Sequence, residues 1–145
     1  MLPGAESAAL ALNALLFEEF IAREADAGRL KLQLTALPQK KALLHGHCHQ
    51  KAFDTFDATL ALLRTLPGAE VNAIESSCCG MAGAFGHEKG HYDVSMKMGE
   101  LALFPAVRAA PQATIVAAGV SCRQQIADAT GREALHPLVV LARAL

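Results

Sequence analysis

The chain has 145 residues, 52% hydrophobic and 19% charged, with a formal net charge of −1. That is enough for one domain with a real core, slightly rich in apolar residues, and the excess points to a covered interface. No Lys/Arg run and no apolar stretch long enough for a bilayer occur, so nucleic-acid binding and a transmembrane segment are excluded as expectations. The first residues lack a basic region and contain Pro3-Gly4 and Glu6, which argues against a signal peptide and for a reducing cytoplasm.

Leu12, Leu15, Leu16, Phe20 and Ile21 recur at helical spacing among acidic and basic residues, predicting a helix over about 7–27 closed by Gly28. Leu30, Leu32 and Leu34 alternate with polar residues, as in a short strand or an extended linker. A regular rhythm then begins. A strand is predicted over about 41–44, a helix over about 53–66 ended by Pro67-Gly68, and a strand over about 71–74. A helix over about 92–108, a strand over about 114–118, a helix over about 123–129, a short strand near 134–136 and a terminal helix opened by Pro137 complete the chain. Strands alternating with helices predict an α/β domain of three layers: a mostly parallel sheet of about four strands with helices on both faces. The expected division is 1–40, a helix and extended segment packing on the domain, and 41–145, the domain itself.

The four cysteines fall after strands: Cys48 after the first, Cys78 and Cys79 after the second, Cys122 after the third. In a parallel sheet these junctions lie along one edge, the C-terminal edge of the strands, where ligands of such folds bind. Adjacent cysteines are strained as a disulfide but suit a shared soft metal or an iron–sulfur cluster, and Gly80 lets the backbone bend around it. A helix N-terminus favours thiolate there, and Lys51 and Arg123 add positive charge nearby. Buried free cysteines can be plain small hydrophobes, but four at three equivalent junctions argue otherwise. The short Cys-x-x-Cys spacing of zinc ribbons is absent, so the metal stays open.

His45, His47 and His49 alternate around Cys48; on an extended segment all three face one side, and a loop would let one serve as ligand or proton carrier. His87 and His91 read as capping or solvating a helix start, and Met81, Met96 and Met98 as packing residues. Gly80, Gly83 and Gly86 resemble a phosphate loop only loosely and suit close backbone approach to a bound group. A Cys-His nucleophile, Cys48 or Cys79 with a nearby histidine, would not explain four cysteines.

The motifs His47-Cys48-His49-Gln50-Lys51, Cys78-Cys79-Gly80-Met81-Ala82-Gly83 and Ser121-Cys122-Arg123 together resemble the cysteine-rich CCG domain. That domain ends the iron–sulfur subunits of glycolate oxidase and related FAD-linked D-2-hydroxy acid dehydrogenases, and occurs in heterodisulfide reductases. The resemblance covers about residue 41 to the C-terminus. It implies Cys48, Cys78, Cys79 and Cys122 as ligands of a 4Fe-4S cluster, or of zinc, with His47, His49, Lys51, Gly80, Gly83 and Arg123 around them. It further implies electron transfer from an FAD on a separate domain or subunit, an upstream ferredoxin-like domain, and a cytoplasmic setting, soluble or peripheral at the inner membrane through the full complex. A zinc-stabilised docking domain and a thiol–disulfide redox module are the alternatives. The fullest family pattern ends in a Cys-x-x-Cys pair, whose first position here is Gly119.

Overall fold

The computed structural model describes residues 4–145; residues 1–3, part of the stretch argued above not to be a signal peptide, lie outside it. Four parallel strands, β1 (Lys41–His45), β2 (Glu70–Ala73), β3 (Thr114–Ala117) and β4 (Ala134–Leu135), form one sheet in the order β2-β1-β3-β4. Leu44 stands opposite Ala73 on one side and Val116 on the other. Side chains alternate across this pleat and divide the core in two. Ile115 and Ala117, with Leu43, pack on α6 (Leu103–Ala109) and α7 (Val120–Thr130) through Phe104, Val107 and Ile126. Ala42, Leu44 and Val116 pack on the opposite face with Leu62 and Leu63 of α4 (Phe56–Arg64) and Val140 of α8 (Pro137–Ala142). The result is the expected three-layer α/β arrangement.

Two predicted helices are divided. The one expected over 7–27 is α1 (Ala5–Asn13) and α2 (Phe17–Asp26), separated where Ala14 turns extended. The Glu19 carboxylate accepts from the Leu16 backbone N–H at 2.8 Å and starts α2 afresh. The one expected over 92–108 is α5 (Tyr92–Glu100) and α6. Pro105 has no N–H to give and its ring would meet the Leu101 carbonyl, so the helix breaks and restarts with proline in its first turn. Ahead of α4 stands an unforeseen short helix, α3 (Cys48–Ala52), and α7 begins at Val120 rather than at 123. Residues 30–37 belong to no strand and 38–40 form a bend; Leu30, Leu32, Leu34 and Leu37 lie on the α4/α8 core, and Thr35 binds the Ala144 carbonyl through its N–H at 2.6 Å and its hydroxyl at 2.9 Å.

Candidate metal centre

The strand order sends the chain from β1 outward to β2 on one side and back to β3 on the other, so the segments following β1 and β3 diverge from neighbouring strands. A cavity of about 480 Å³ opens there, lined by all four cysteines with His47, His49, Ala82, Gly83 and Ser121. Cys48 is the first residue of α3, Cys122 lies in the first turn of α7, and Cys78-Cys79 sit in the loop after β2. All four are free thiols; Cys79 and Cys122 are buried and belong to the same core as Phe104 and Ile126.

The double-cysteine loop takes its shape from left-handed backbone at Gly80 (φ 98°), Ala82 (φ 42°) and Gly83 (φ 69°). Gly80 allows no side chain, since a Cβ there would stand 2.0 Å from the Ser95 carbonyl oxygen of α5. Ser95 is itself held by Gln125 of α7, whose amide donates to its hydroxyl at 2.8 Å, both groups being buried. Bent this way, the loop turns N–H groups onto sulfur: Gly80 donates to Cys78 Sγ at 3.3 Å, and Met81 supports Cys79.

These surroundings set the thiols apart. Cys79 is held well below the ordinary thiol value, chiefly because its sulfur accepts from the Cys122 thiol, with His45 and the Met81 N–H adding to it against the effect of burial. Cys122, as the donor to Cys79, is pushed up, and burial adds to the rise. Burial also raises Cys78, against the Gly80 N–H. The shifts of Cys79 and Cys122 are opposite because one sulfur accepts from the other.

His45 is the residue that the sequence motifs did not single out. It ends β1, is 1% exposed, and one of its ring nitrogens lies with Cys79 Sγ and Cys122 Sγ in a group whose members are all within 4.8 Å of one another. Its Nδ1 stands 2.9 Å from Ser76 Oγ, while Nε2 is buried with no hydrogen-bond partner among the described residues. The alternation around Cys48 offers it as one of three candidate ligands or proton carriers, without distinguishing it from His47 and His49. The alternation expected for the three histidines stops at Cys48, where the chain turns helical. His47 instead caps α3, accepting from the His49 N–H at 3.3 Å, and the two rings meet edge to face at 4.9 Å. Burial, with His49 beside it, lowers the His47 pKa.

Lys51 and Arg123 do not line the cavity. The Lys51 ammonium donates to the Ser76 carbonyl, tying α3 to the double-cysteine loop. Arg123 turns back to the carbonyls of Ala117 at 3.1 Å and Ala118 at 2.6 Å, securing the end of β3. Gly119 fits against its neighbours: a Cβ there would come 2.3 Å from His47 Cδ2 and 2.9 Å from Cys122 Sγ. His47 therefore occupies the room that a side chain at 119 would need. His91 does stand just ahead of α5, but its ring stacks on Phe85 at 4.2 Å and its Nδ1 meets Glu88 at 2.9 Å.

Four sulfurs around one cavity, with a ring nitrogen of His45 within 4.8 Å of two of them, are a donor set for a soft metal ion or an iron–sulfur cluster. The residues present fit such a group. Beside it lies a second cavity of about 780 Å³, sharing His47 and His49 and walled by residues 14–16 and Glu18.

The motifs that resemble the cysteine-rich CCG domain thus meet at one strand-end edge of a parallel α/β domain, and the relatives that sequence comparison finds are dehydrogenases. The chain is 35% identical over 123 residues to one of the subunits of the anaerobic glycerol-3-phosphate dehydrogenase of Escherichia coli (strain K12), covering 85% of this chain and 30% of that protein. It is 31% identical over 127 residues to the D-2-hydroxyglutarate dehydrogenase of the same organism, covering 86% of this chain and 12% of that protein. Against the D-2-hydroxyglutarate dehydrogenase of Pantoea ananatis (strain AJ13355) the identity is 36% over 74 residues, 51% of this chain and 7% of that protein. The chain thus spans less than a third of the length of these curated relatives. No family model and no solved structure matches it. No helix among the described residues is long and apolar enough to cross a membrane.

Proposed function

We propose that this chain is an electron-transfer domain of a larger FAD-linked oxidoreductase acting on a 2-hydroxy acid such as glycolate, D-lactate or D-2-hydroxyglutarate. Cys48, Cys78, Cys79 and Cys122 hold a 4Fe-4S cluster, which when bound supplies one-electron transfer. The observation that carries this reading is that all four cysteines, delivered from three separate strand ends, line one cavity. The FAD and the oxidation of the substrate belong to another domain or subunit, with a ferredoxin-like domain upstream, since the chain's relatives are dehydrogenases several times its length. Residues 1–40 form an attached helical and extended segment, and 41–145 the cysteine-rich domain. The setting is cytoplasmic, either soluble or peripheral at the inner membrane through the full complex.

The residues around the cavity do the protein's share of the work. Gly80 and Met81 supply N–H donors to sulfur, α7 brings the positive end of its dipole to Cys122, and the buried Phe104 core keeps water from one side. Protein purified without oxygen is expected to contain iron and acid-labile sulfide in equal amounts and to show a paramagnetic signal on reduction, both lost in Cys79→Ser. Absence of iron and of charge-transfer absorption in the wild type overturns the reading.

The compactness of His45, Cys79 and Cys122 favours a second reading, a single zinc ion stabilising a docking domain. Zinc–sulfur bonds of about 2.3 Å and zinc–nitrogen bonds of about 2.0 Å bring ligand atoms that close together. Stoichiometric zinc, no redox signal and a large loss of stability on chelation distinguish it.

A further inference from the structure

His45 stands outside the four-cysteine ligand set, yet it is the polar side chain whose surroundings most need explaining. It is fully enclosed at the end of β1. Ser76, from the same loop as Cys78 and Cys79, engages Nδ1 at 2.9 Å and so fixes the plane of the ring. With Nδ1 engaged, Nε2 has no partner among the described residues, and the ring lies within reach of the sulfurs of Cys79 and Cys122, a ring nitrogen being within 4.8 Å of both. A buried polar atom left unpaired is costly, so the site in its working state must satisfy it.

The chemistry of the neighbours selects the form of the imidazole. Thiolate sulfurs accept hydrogen bonds and donate none. An Nε2 lone pair facing them is repelled, whereas an Nε2–H is attracted and makes a charge-assisted bond. The Ser76 hydroxyl is free to rotate and can donate to Nδ1, which leaves the ring proton on Nε2. Such a donor stabilises whichever state of the centre carries more negative charge at sulfur, which is the reduced one.

Resting on the iron–sulfur reading above, we propose that His45 is a positioning residue: its Nε2–H donates to the Cys79 sulfur, with Ser76 fixing the tautomer, and this bond raises the reduction potential of the centre. His45→Phe keeps the ring volume and removes the donor; His45→Gln keeps a donor of similar reach. The measurement is a redox titration followed by electron paramagnetic resonance on anaerobically purified protein, with iron content determined for each variant. With iron retained, the expected results are a more negative midpoint potential in His45→Phe, a return toward the wild-type value in His45→Gln, and an intermediate shift in Ser76→Ala. An unchanged potential in iron-loaded His45→Phe overturns the proposal. If His45→Phe takes up no iron, wild-type potentials in both His45→Gln and Ser76→Ala overturn it, and a shift in Ser76→Ala supports it. Should the wild type itself bind no iron, it is the cluster reading that has failed. Long-range proton–nitrogen spectra of the imidazole then decide the hydrogen bond separately: an Nε2–H tautomer upholds it, and an Nδ1–H or metal-bound Nε2 overturns it.

Discussion

The two faces of the sheet are built on different terms. The face covered by α4 and α8 is mainly aliphatic, with Ala42, Leu44, Leu63, Val71, Val116 and Val140 forming its core, Phe56 at its margin and residues 30–37 strapped across the outside. The face covered by α6 and α7 has Cys79, Met81 and Cys122 among its core residues, so the candidate metal centre is continuous with its hydrophobic interior. One face has no cysteine in its core. The other ends in sulfur and in a loop held in left-handed backbone by Gly80, so its order is coupled to whatever the sulfurs hold.

Changes on the two faces should therefore differ in what they do to the centre, even at similar cost in stability. The largest effect is expected from Phe104→Ala, which empties a fully buried site on the sulfur face: a loss of about 4 kcal/mol, with reduced metal retention. Denaturant unfolding with metal analysis on the same samples checks both halves. Gly80→Ala follows at about 3 kcal/mol, since a left-handed glycine against the Ser95 carbonyl must move, and the metal content should fall with it. Leu63→Ala on the aliphatic face is expected to cost a similar amount, about 3 kcal/mol, while metal stoichiometry stays at the wild-type value. Equal metal loss in Leu63→Ala and Phe104→Ala would erase the distinction between the faces. Thr35→Val removes the strap's hydroxyl contact to Ala144 and should cost about 1 kcal/mol, again without touching the metal.

The smallest expected effect is one of pH. His136 caps α8 by accepting from the Leu138 N–H at 3.1 Å, and its pKa is lowered, mainly by burial and further by Arg123, against the pull of Glu18. The unfolded chain takes up this proton first as pH falls. Stability is then full above the ordinary histidine value and declines as pH drops through it toward the folded value. A melting temperature that rises between about pH 5 and pH 7, with a flatter profile in His136→Gln, is the expected result; an identical slope in both proteins would remove His136 as the cause.

Strands β1, β2 and β3 were legible because each is an apolar run stopped by turn residues, and the position of the cysteines after them followed at once. Other features depended on contacts that no spacing reveals. The break between α5 and α6 was written in Pro105 but was masked by the apolar period running through it. The break between α1 and α2 lies in an alanine- and leucine-rich stretch with no glycine or proline to mark it. Helix α3 is too short for any periodicity and begins at a histidine cap. His45 looked equivalent to His47 and His49 because alternation treats the three alike; only the turn into α3 sends one into the core and leaves the others at the cavity. Lys51 and Arg123 could be placed near the cysteines by sequence, but not their choice of carbonyl partners over sulfur.

The strand order has one further consequence. The sulfurs of this cavity come from chain segments that meet only after both crossovers, β1 to β2 and β2 to β3, have been laid down side by side. A group bound to all of them is a cross-link between distant stretches of chain, closing long loops that the unfolded polypeptide would otherwise explore freely. Loading such a group is therefore expected to need all three strand ends in place. If the sulfurs hold a metal group, refolding is expected to be faster with that group present than without it, which stopped-flow refolding in the two conditions would check.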